Sequence, residues 1–570
     1  MPDSALPDNN VLGKPRTLYG TMARVAGSTP GLFAVISVFL FATHFSLLRL
    51  PYFWDEAGYY IPAARDLLHG SLIAHSTPSN AHPPLVMAWL ALAWKLFGES
   101  QLVTRRAMLL CAAFSLTGFF RLAKSISNVT VASFSTLLVA IYPVFFAQSS
   151  LAQVDLPAAG LVFWALHAYF RQRRTSMVMW FSLACLAKET AILVPLALLT
   201  WETLRLAFWH TRFKSARPQR PRSRANEFLA LALPLALSVV PLGFWYGYHY
   251  LHTGFVFGNP EFLRYNLQGN LSPLRILLAL LLRIWQAAGY LNLFVLTLAC
   301  AVAMRYPAQQ DSSFFAPANR QEVRHSTGLR PRIDVSIQFA LLAVTIVYVL
   351  AMSVLGGAVL ARYMLPIIPL VILVSVSTIW RRLRAWAIVL AIAALSFVAA
   401  IFMNPPYGFS PEDNLAYRDY IRLHQRAETL IEDRYPHARV LTAWPASDEL
   451  SRPDLGYVEN PMKVVRIEDF TVEQLLSAAD LRSSFDVALV FSTKYQPPHP
   501  LIDRWRFWRK WKTRYFGYHE DTTPEAAASV LGGSLVYVER LRGQWVGVIH
   551  VEGVREARAR VIPPDLKTIP

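Results

Sequence analysis

The chain has 570 residues, of which 54% are hydrophobic and only 16% charged, and its formal net charge is +18. A soluble domain usually carries about 25% charged residues, so a wholly soluble protein is excluded. The positive charge gathers in short stretches between apolar runs, as in cytoplasmic loops of membrane proteins, which makes nucleic acid a poor reading of it.

Residues 1–30 precede the first apolar run and carry Lys14, Arg16 and Arg24, the pattern of a cytoplasmic N-terminus before a retained signal anchor. Apolar runs follow at about 31–50, 83–97, 101–120, 129–147, 157–170, 176–187, 190–208, 227–247, 288–304, 335–354, 364–380 and 385–403. A span needs roughly 20 apolar residues. Charge assigns the ambiguous runs. If 83–97 lies in the interface, capped by Trp89 and Trp94, every basic cluster falls on one side: Arg121 with Lys124, Arg171 with Arg173 and Arg174, Arg212 to Arg224, Arg320 to Arg332, and RRLR at 381–384. That obeys the positive-inside bias at each loop.

One unbroken helix over 176–208 would bury Lys188 and Glu189 and invert the loops that follow, so two segments are expected to meet at KET, 188–190. A twelve-residue first segment rises only about 18 Å, less than the ~30 Å hydrocarbon core, which recesses KET below the outer surface. The expectation is a polytopic α-helical membrane protein of about eleven spans over 31–403, with the N-terminus inside, an outer loop at 51–100 and the C-terminus outside. Cys111, Cys185 and Cys300 all fall within apolar segments, have no metal or disulfide spacing, and read as small core residues.

Beyond 404 the composition is that of a soluble α/β domain, 404–570. A helical stretch (EDNLAYRDYIRLHQRAETLIEDRY) precedes the strand-like runs RVLTAW, KVVRI and DVALVFS, and SLVYVERLRGQWVGVIHV reads as a closing antiparallel pair. The basic, aromatic stretch 504–518 suits a membrane surface or a solvated helix. No glycine-rich phosphate loop or nucleophile motif stands out here.

The unusual polar residues all fall on the outer face. Asp55 and Glu56 open an amphipathic segment just past the first span; they suit a helix N-terminus, or a base or metal-binding carboxylate at the membrane surface. His82 begins HPPL, where Pro83 and Pro84 favour a helix start, and reads as a cap or a ligand contact. Asp155, in AQVDLPAAG, is either another N-cap or a functional carboxylate at the end of a span. Adjacent helical side chains point about 100° apart, so Lys188 and Glu189 each need a separate partner. Arg362, in ARYMLP, suits snorkelling or a phosphate. Together these residues suit a lipid phosphate in the outer leaflet beside a base that activates an acceptor.

The ordered set FWDEAGYY, HPPL, QVDLPAA, AKET and ARYMLPIIPL resembles the membrane-embedded GT-C glycosyltransferases, in particular the dolichyl-phosphate-mannose protein mannosyltransferase and aminoarabinose transferase superfamily. The resemblance covers roughly 30–403 and is strongest over 50–200. It implies a glycosyltransferase of the hexosyl or pentosyl kind, taking a polyprenyl-phosphate-linked sugar to a lipid, glycan or protein acceptor at the outer face of a membrane, with a bacterial inner membrane as the expected location. It maps the catalytic carboxylate to Asp55 and the second acidic loop to Asp155. Glu56, His82, Lys188, Glu189 and Arg362 are the expected substrate-binding set. Relatives differ in metal use, so no cofactor is assigned and a divalent metal at the acidic motif stays open. The competing class is a transporter or lipid flippase with an outer binding domain, against which there is no inverted repeat and no matched pair of broken helices; a sensor or scaffold is a third.

Overall fold

The computed structural model describes residues 28–79, 81–208, 224–258, 271–310, 328–355, 358–498, 500 and 504–551. Lys14, Arg16 and Arg24, the arginine-rich stretch 212–223 and the basic residues of 320–327 lie outside the described residues.

The chain is mostly helical, and its apolar runs become helices. Among the described residues, five are long and apolar enough to cross a membrane: Gln101–Ile126, Glu189–Phe208, Phe228–Thr253, Pro273–Ala303 and Val335–Val354. Shorter apolar helices are Thr29–Thr43, Leu85–Phe97, Val129–Ile141, Arg174–Ala187 and Trp386–Phe402. Side chains start several of them: Ser28 accepts from the amide of Gly31, Ser100 from Val103 and Asn128 from Val131. Exposed apolar residues such as Val38, Phe244, Leu251 and Leu395 cover the outside of the helices, as lipid contact requires. This is an integral membrane protein.

Three breaks matter for the site. The helix Arg174–Ala187 ends at Lys188, whose backbone is extended (φ −153°, ψ 132°), and a 3-10 turn, Glu189–Ile192, begins the next segment. The run 129–147 breaks at Tyr142, where Pro143 opens the short helix Pro143–Gln148. The expected loop 251–287 contains the helix Pro273–Ala288, joined to Leu293–Ala303 across left-handed Leu291 and Asn292. Its apolar and charged residues recur at helical spacing; the buried Arg275 and Arg283 hid its apolar face from a search for unbroken runs.

The helix Asp155–Phe170 packs against Gln101–Ile126 closely enough that a Cβ at Gly160 would fall inside the Ser115 side chain, so glycine permits the approach. Asp155 begins this helix and Arg171, Arg173 and Arg174 follow its end, roughly 24 Å away at 1.5 Å per residue. Arg121 and Lys124 likewise lie near the end of Gln101–Ile126 opposite Arg105. Asp155, and Arg105 with its partner Glu56, therefore lie at the ends of these two helices opposite the basic clusters.

After the last apolar helix comes Ala416–Arg434, then a five-stranded sheet with helices between its strands. Strands β1 (Arg439–Ala443), β2 (Lys463–Ile467), β3 (Val487–Phe491), β4 (Ser534–Leu541) and β5 (Gln544–His550) lie in the order β2-β1-β3-β5-β4. β1 pairs in parallel with β2 and β3, while β5 runs antiparallel to β3 and β4. One hydrophobic core joins this sheet to the loop after the first helix, through Tyr52, Phe53, Ile61 and Leu90 on one side and Leu441, Leu489 and Val548 on the other. Backbone and side-chain bonds fasten the contact: Tyr52 N–H donates to the Leu455 carbonyl at 3.2 Å, and the Tyr457 hydroxyl to the Tyr52 carbonyl at 3.0 Å. These contacts hold the segment that carries Asp55 against the sheet domain.

Candidate active site

The loop after the first helix turns at Trp54, which adopts φ +47°, a conformation non-glycine residues enter at some energetic cost. Edge-to-face contacts with Tyr420 (5.6 Å between centroids) and Trp444 (5.2 Å) hold its ring there. A five-residue π-helical turn, Glu56–Tyr60, follows.

Asp55 and Glu56 diverge. Glu56 is fully buried and accepts hydrogen bonds from both terminal nitrogens of Arg105, one at 2.9 Å, from Phe53 N–H at 2.8 Å and from Ala152 N–H. Arg105 also donates to the carbonyls of Pro51 (2.7 Å) and Ser150 (2.9 Å), tying three segments together. Asp55 turns the other way and accepts from Nη2 of Arg362. Its carboxylate is 21% exposed, against 2% for Asp155 and 5% for Glu412.

Arg362, in the turn Ala361–Met364, is buried among carboxylates. Besides Asp55 it donates to Gln153 and Glu412, and its Nε lies 3.4 Å from Oδ2 of Asp155. Gln153 in turn donates to Glu412 at 3.0 Å. Burial pushes the Glu412 carboxyl above the usual carboxylate range, with Arg362 pulling the other way. Asp155 is the first residue of its helix but caps nothing; it accepts from Lys188. The Lys188 ammonium also lies 4.0 Å from the centroid of the Tyr363 ring. Glu189 bonds elsewhere, with one oxygen 2.8 Å from Nδ1 of His82. The two neighbouring residues of KET therefore have different partners.

Arg283 adds a third cation. It is fully buried on Pro273–Ala288, lies 5.6 Å from the Tyr363 ring, and donates to Gln286 (2.8 Å) and to the Leu360 carbonyl (2.7 Å). Among the described residues its Nη2 has no hydrogen-bond partner, and no carboxylate pairs with it. The structure thus gathers Asp55, Asp155, Lys188 and Arg362, sets His82 and Glu189 beside them as a pair, and sends Glu56 into a separate buried ion pair. Sequence reasoning missed Arg105, Gln153, Arg283 and Glu412. An arginine within LLALLLRIW was a usable signal for Arg283; nothing set Glu412 apart within SPEDN.

The family model of the dolichyl-phosphate-mannose-protein mannosyltransferases matches residues 81–240. Two crystal structures of ArnT from Cupriavidus metallidurans, one bound to undecaprenyl phosphate and one in the apo state, superpose over 91% of this chain and 97% of theirs, with a TM-score of 0.50 at 15% identity. The chain has the fold of the GT-C glycosyltransferases. The oligosaccharyltransferase of Archaeoglobus fulgidus, in complex with Zn and sulfate, overlaps over 81% of this chain and 68% of its own, at 12% identity and a TM-score of 0.42. No curated protein matches this sequence. Within the GT-C fold of this chain, the family match spans His82, Asp155, Lys188 and Glu189, while Asp55, Arg283 and Arg362 lie outside it.

Proposed function

We propose that the protein transfers a hexose or pentose from a polyprenyl-phosphate-linked donor to an acceptor hydroxyl at the outer face of the membrane. The observation that carries this reading is the arrangement around Tyr363: Lys188, Arg283 and Arg362 lie 4.0, 5.6 and 5.5 Å from its ring, beside a carboxylate with an exposed edge. The fold supports it, since the matching ArnT structure holds undecaprenyl phosphate.

In this reading Asp55 takes the proton of the acceptor hydroxyl while the oxygen attacks the anomeric carbon. The bond from that carbon to the lipid phosphate breaks, and its electron pair leaves on phosphate oxygen. A single displacement inverts the anomeric configuration. Arg362 is already enclosed by three carboxylates, so its role is to hold Asp55 in place. Arg283, which pairs with no carboxylate among the described residues, and Lys188, which pairs with one, take the phosphate and stabilise the charge developing on it. Asp155 and Glu412 balance the cations, and the His82–Glu189 pair borders the sugar.

The topology that suits this chemistry has eleven crossing segments, the basic ends of the helices in the cytoplasm, and the acidic motifs and sheet domain outside, in a bacterial plasma membrane. Reconstitution into liposomes loaded with lipid-linked sugar separates transfer from transport. A glycosyltransferase releases lipid phosphate and forms a new glycoside only when acceptor is present. A flippase moves intact donor between leaflets and releases nothing.

A further inference from the structure

The helix Ala416–Arg434 holds a second cluster that the transfer reaction does not use. His424 and Glu428 are four residues apart and so share one face of this helix, and Glu449 reaches them from the short helix Ala446–Ser451. All three are buried to 1% exposure or less. Nδ1 of His424 lies 2.6 Å from Oε2 of Glu449 and 3.3 Å from Oε1 of Glu428, and one donor atom from each residue falls within 4.8 Å of the others.

The cluster is under-satisfied. Among the described residues, both oxygens of Glu428, Oε1 of Glu449 and Nε2 of His424 have no hydrogen-bond partner outside the cluster, and no lysine or arginine pairs with either carboxylate. Two buried carboxylates with one imidazole between them need positive charge. A divalent cation supplies it: the donor set carries two negative charges when the imidazole is neutral. With metal–ligand bonds of about 2.0–2.1 Å, tetrahedral donors stand ~3.3 Å apart, the His424–Glu428 separation; Glu449 would move outward by a fraction of an ångström. One nitrogen and two oxygens, with water at a fourth position, suit zinc among the divalent transition metals.

We infer that His424, Glu428 and Glu449 bind a divalent transition-metal ion of the zinc type, a structural site in the sheet domain. Its place gives it a purpose. Tyr420 stacks on the His424 ring at 4.0 Å between centroids and meets Phe53 and Trp54 edge-on at 5.3 and 5.6 Å. The metal would brace the helix against which the loop carrying Asp55 is folded. The alternative is a proton in place of the metal, held by Glu428, whose carboxyl burial and the neighbouring Glu449 push well above the usual range.

The test uses the full-length protein in detergent, purified without metal-affinity resin, with metal content read by elemental analysis. About one transition-metal ion per chain is expected, removable by chelation with a fall in unfolding temperature that zinc alone restores. Glu428→Gln and Glu449→Gln each remove a negative charge from a crowded buried pair, so both variants should fold. Each should lose the metal and the response to zinc, while Asp55→Asn keeps both. Wild type without metal, and indifferent to added zinc after chelation, would overturn the inference. So would a Glu428→Gln variant that keeps its metal, or metal lost from Asp55→Asn but kept in Glu449→Gln. Because metal content is read without any donor or acceptor, the result does not depend on the proposed transfer reaction.

Discussion

Adjacent substitutions at positions 55 and 56 should have opposite consequences. Glu56 accepts four hydrogen bonds, two from the Arg105 guanidinium and two from backbone amides. Glutamine has one acceptor oxygen, so Glu56→Gln turns a donor toward at least one of these donors and leaves Arg105, 1% exposed, without its countercharge. Breaking a buried pair in this way costs about 3–5 kcal/mol, a large part of the 5–15 kcal/mol by which a typical domain is stable. Asp55→Asn is much milder. The amide oxygen still accepts from Arg362, and Arg362 keeps Asp155 and Glu412 as countercharges, so the loss of stability should be well below that of Glu56→Gln. Removing a general base, however, slows transfer by about 100- to 10,000-fold. Size-exclusion chromatography after a heat step, alongside lipid-phosphate release, separates the effects: Glu56→Gln loses folded protein and Asp55→Asn loses turnover. If Asp55→Asn retains most of its transfer while Asp155→Asn abolishes it, the base is Asp155 and the assignment fails.

Arg283→Ala should weaken use of the lipid-linked donor at least tenfold with little change for the acceptor, and Arg283→Lys should restore it only in part, because an ammonium lacks the planar fork that fits phosphate; equal loss for both substrates would indicate a packing role, read from KM for each. Stability should depend on Asp413, whose carboxyl is pushed up to about 8 by burial and by Glu412 and receives the Tyr290 hydroxyl at 2.6 Å. A carboxyl raised in the folded state stabilises it at low pH, so unfolding temperature should fall as pH rises from 3.8 through about 8, and Asp413→Asn should flatten that fall. A reporter fused after Pro570 that works only in the cytoplasm should stay silent; a strong signal would scatter the site residues across both faces.

Much of the membrane architecture was legible because a span must satisfy its backbone internally and be apolar along its length, which leaves a plain trace in sequence. The break at Lys188 was readable from charge, since a lysine and a glutamate in mid-helix had to find water or partners. In the sheet, Val487–Phe491 could be recognised as a buried strand from its unbroken apolar run. Pro273–Ala288 escaped because Arg275 and Arg283 interrupt its apolar pattern, and both arginines donate to carbonyls contributed from residues 352–360, far away in the chain. Composition also could not tell Asp55 from Glu56: which of two adjacent carboxylates meets Arg105 and which meets Arg362 depends on residues 49 and 307 positions away in the chain. Glu412 shows the same limit, being ordinary in sequence and part of the site only through Arg362 and Gln153.

The proposed donor is a sugar carried on polyprenyl phosphate. Purified wild-type protein and Asp55→Asn, incubated with a membrane lipid and glycan extract as acceptor and either a panel of polyprenyl-phosphate sugars or a matching panel of nucleotide sugars, test it by direct measurement of lipid phosphate and nucleotide released. Wild type should release lipid phosphate from at least one lipid-linked sugar, Asp55→Asn almost none, and neither should turn over nucleotide sugars. Nucleotide release, or no lipid-phosphate release from any lipid-linked sugar by wild type, would contradict that donor, and release that persists in Asp55→Asn would remove Asp55 from the role of base.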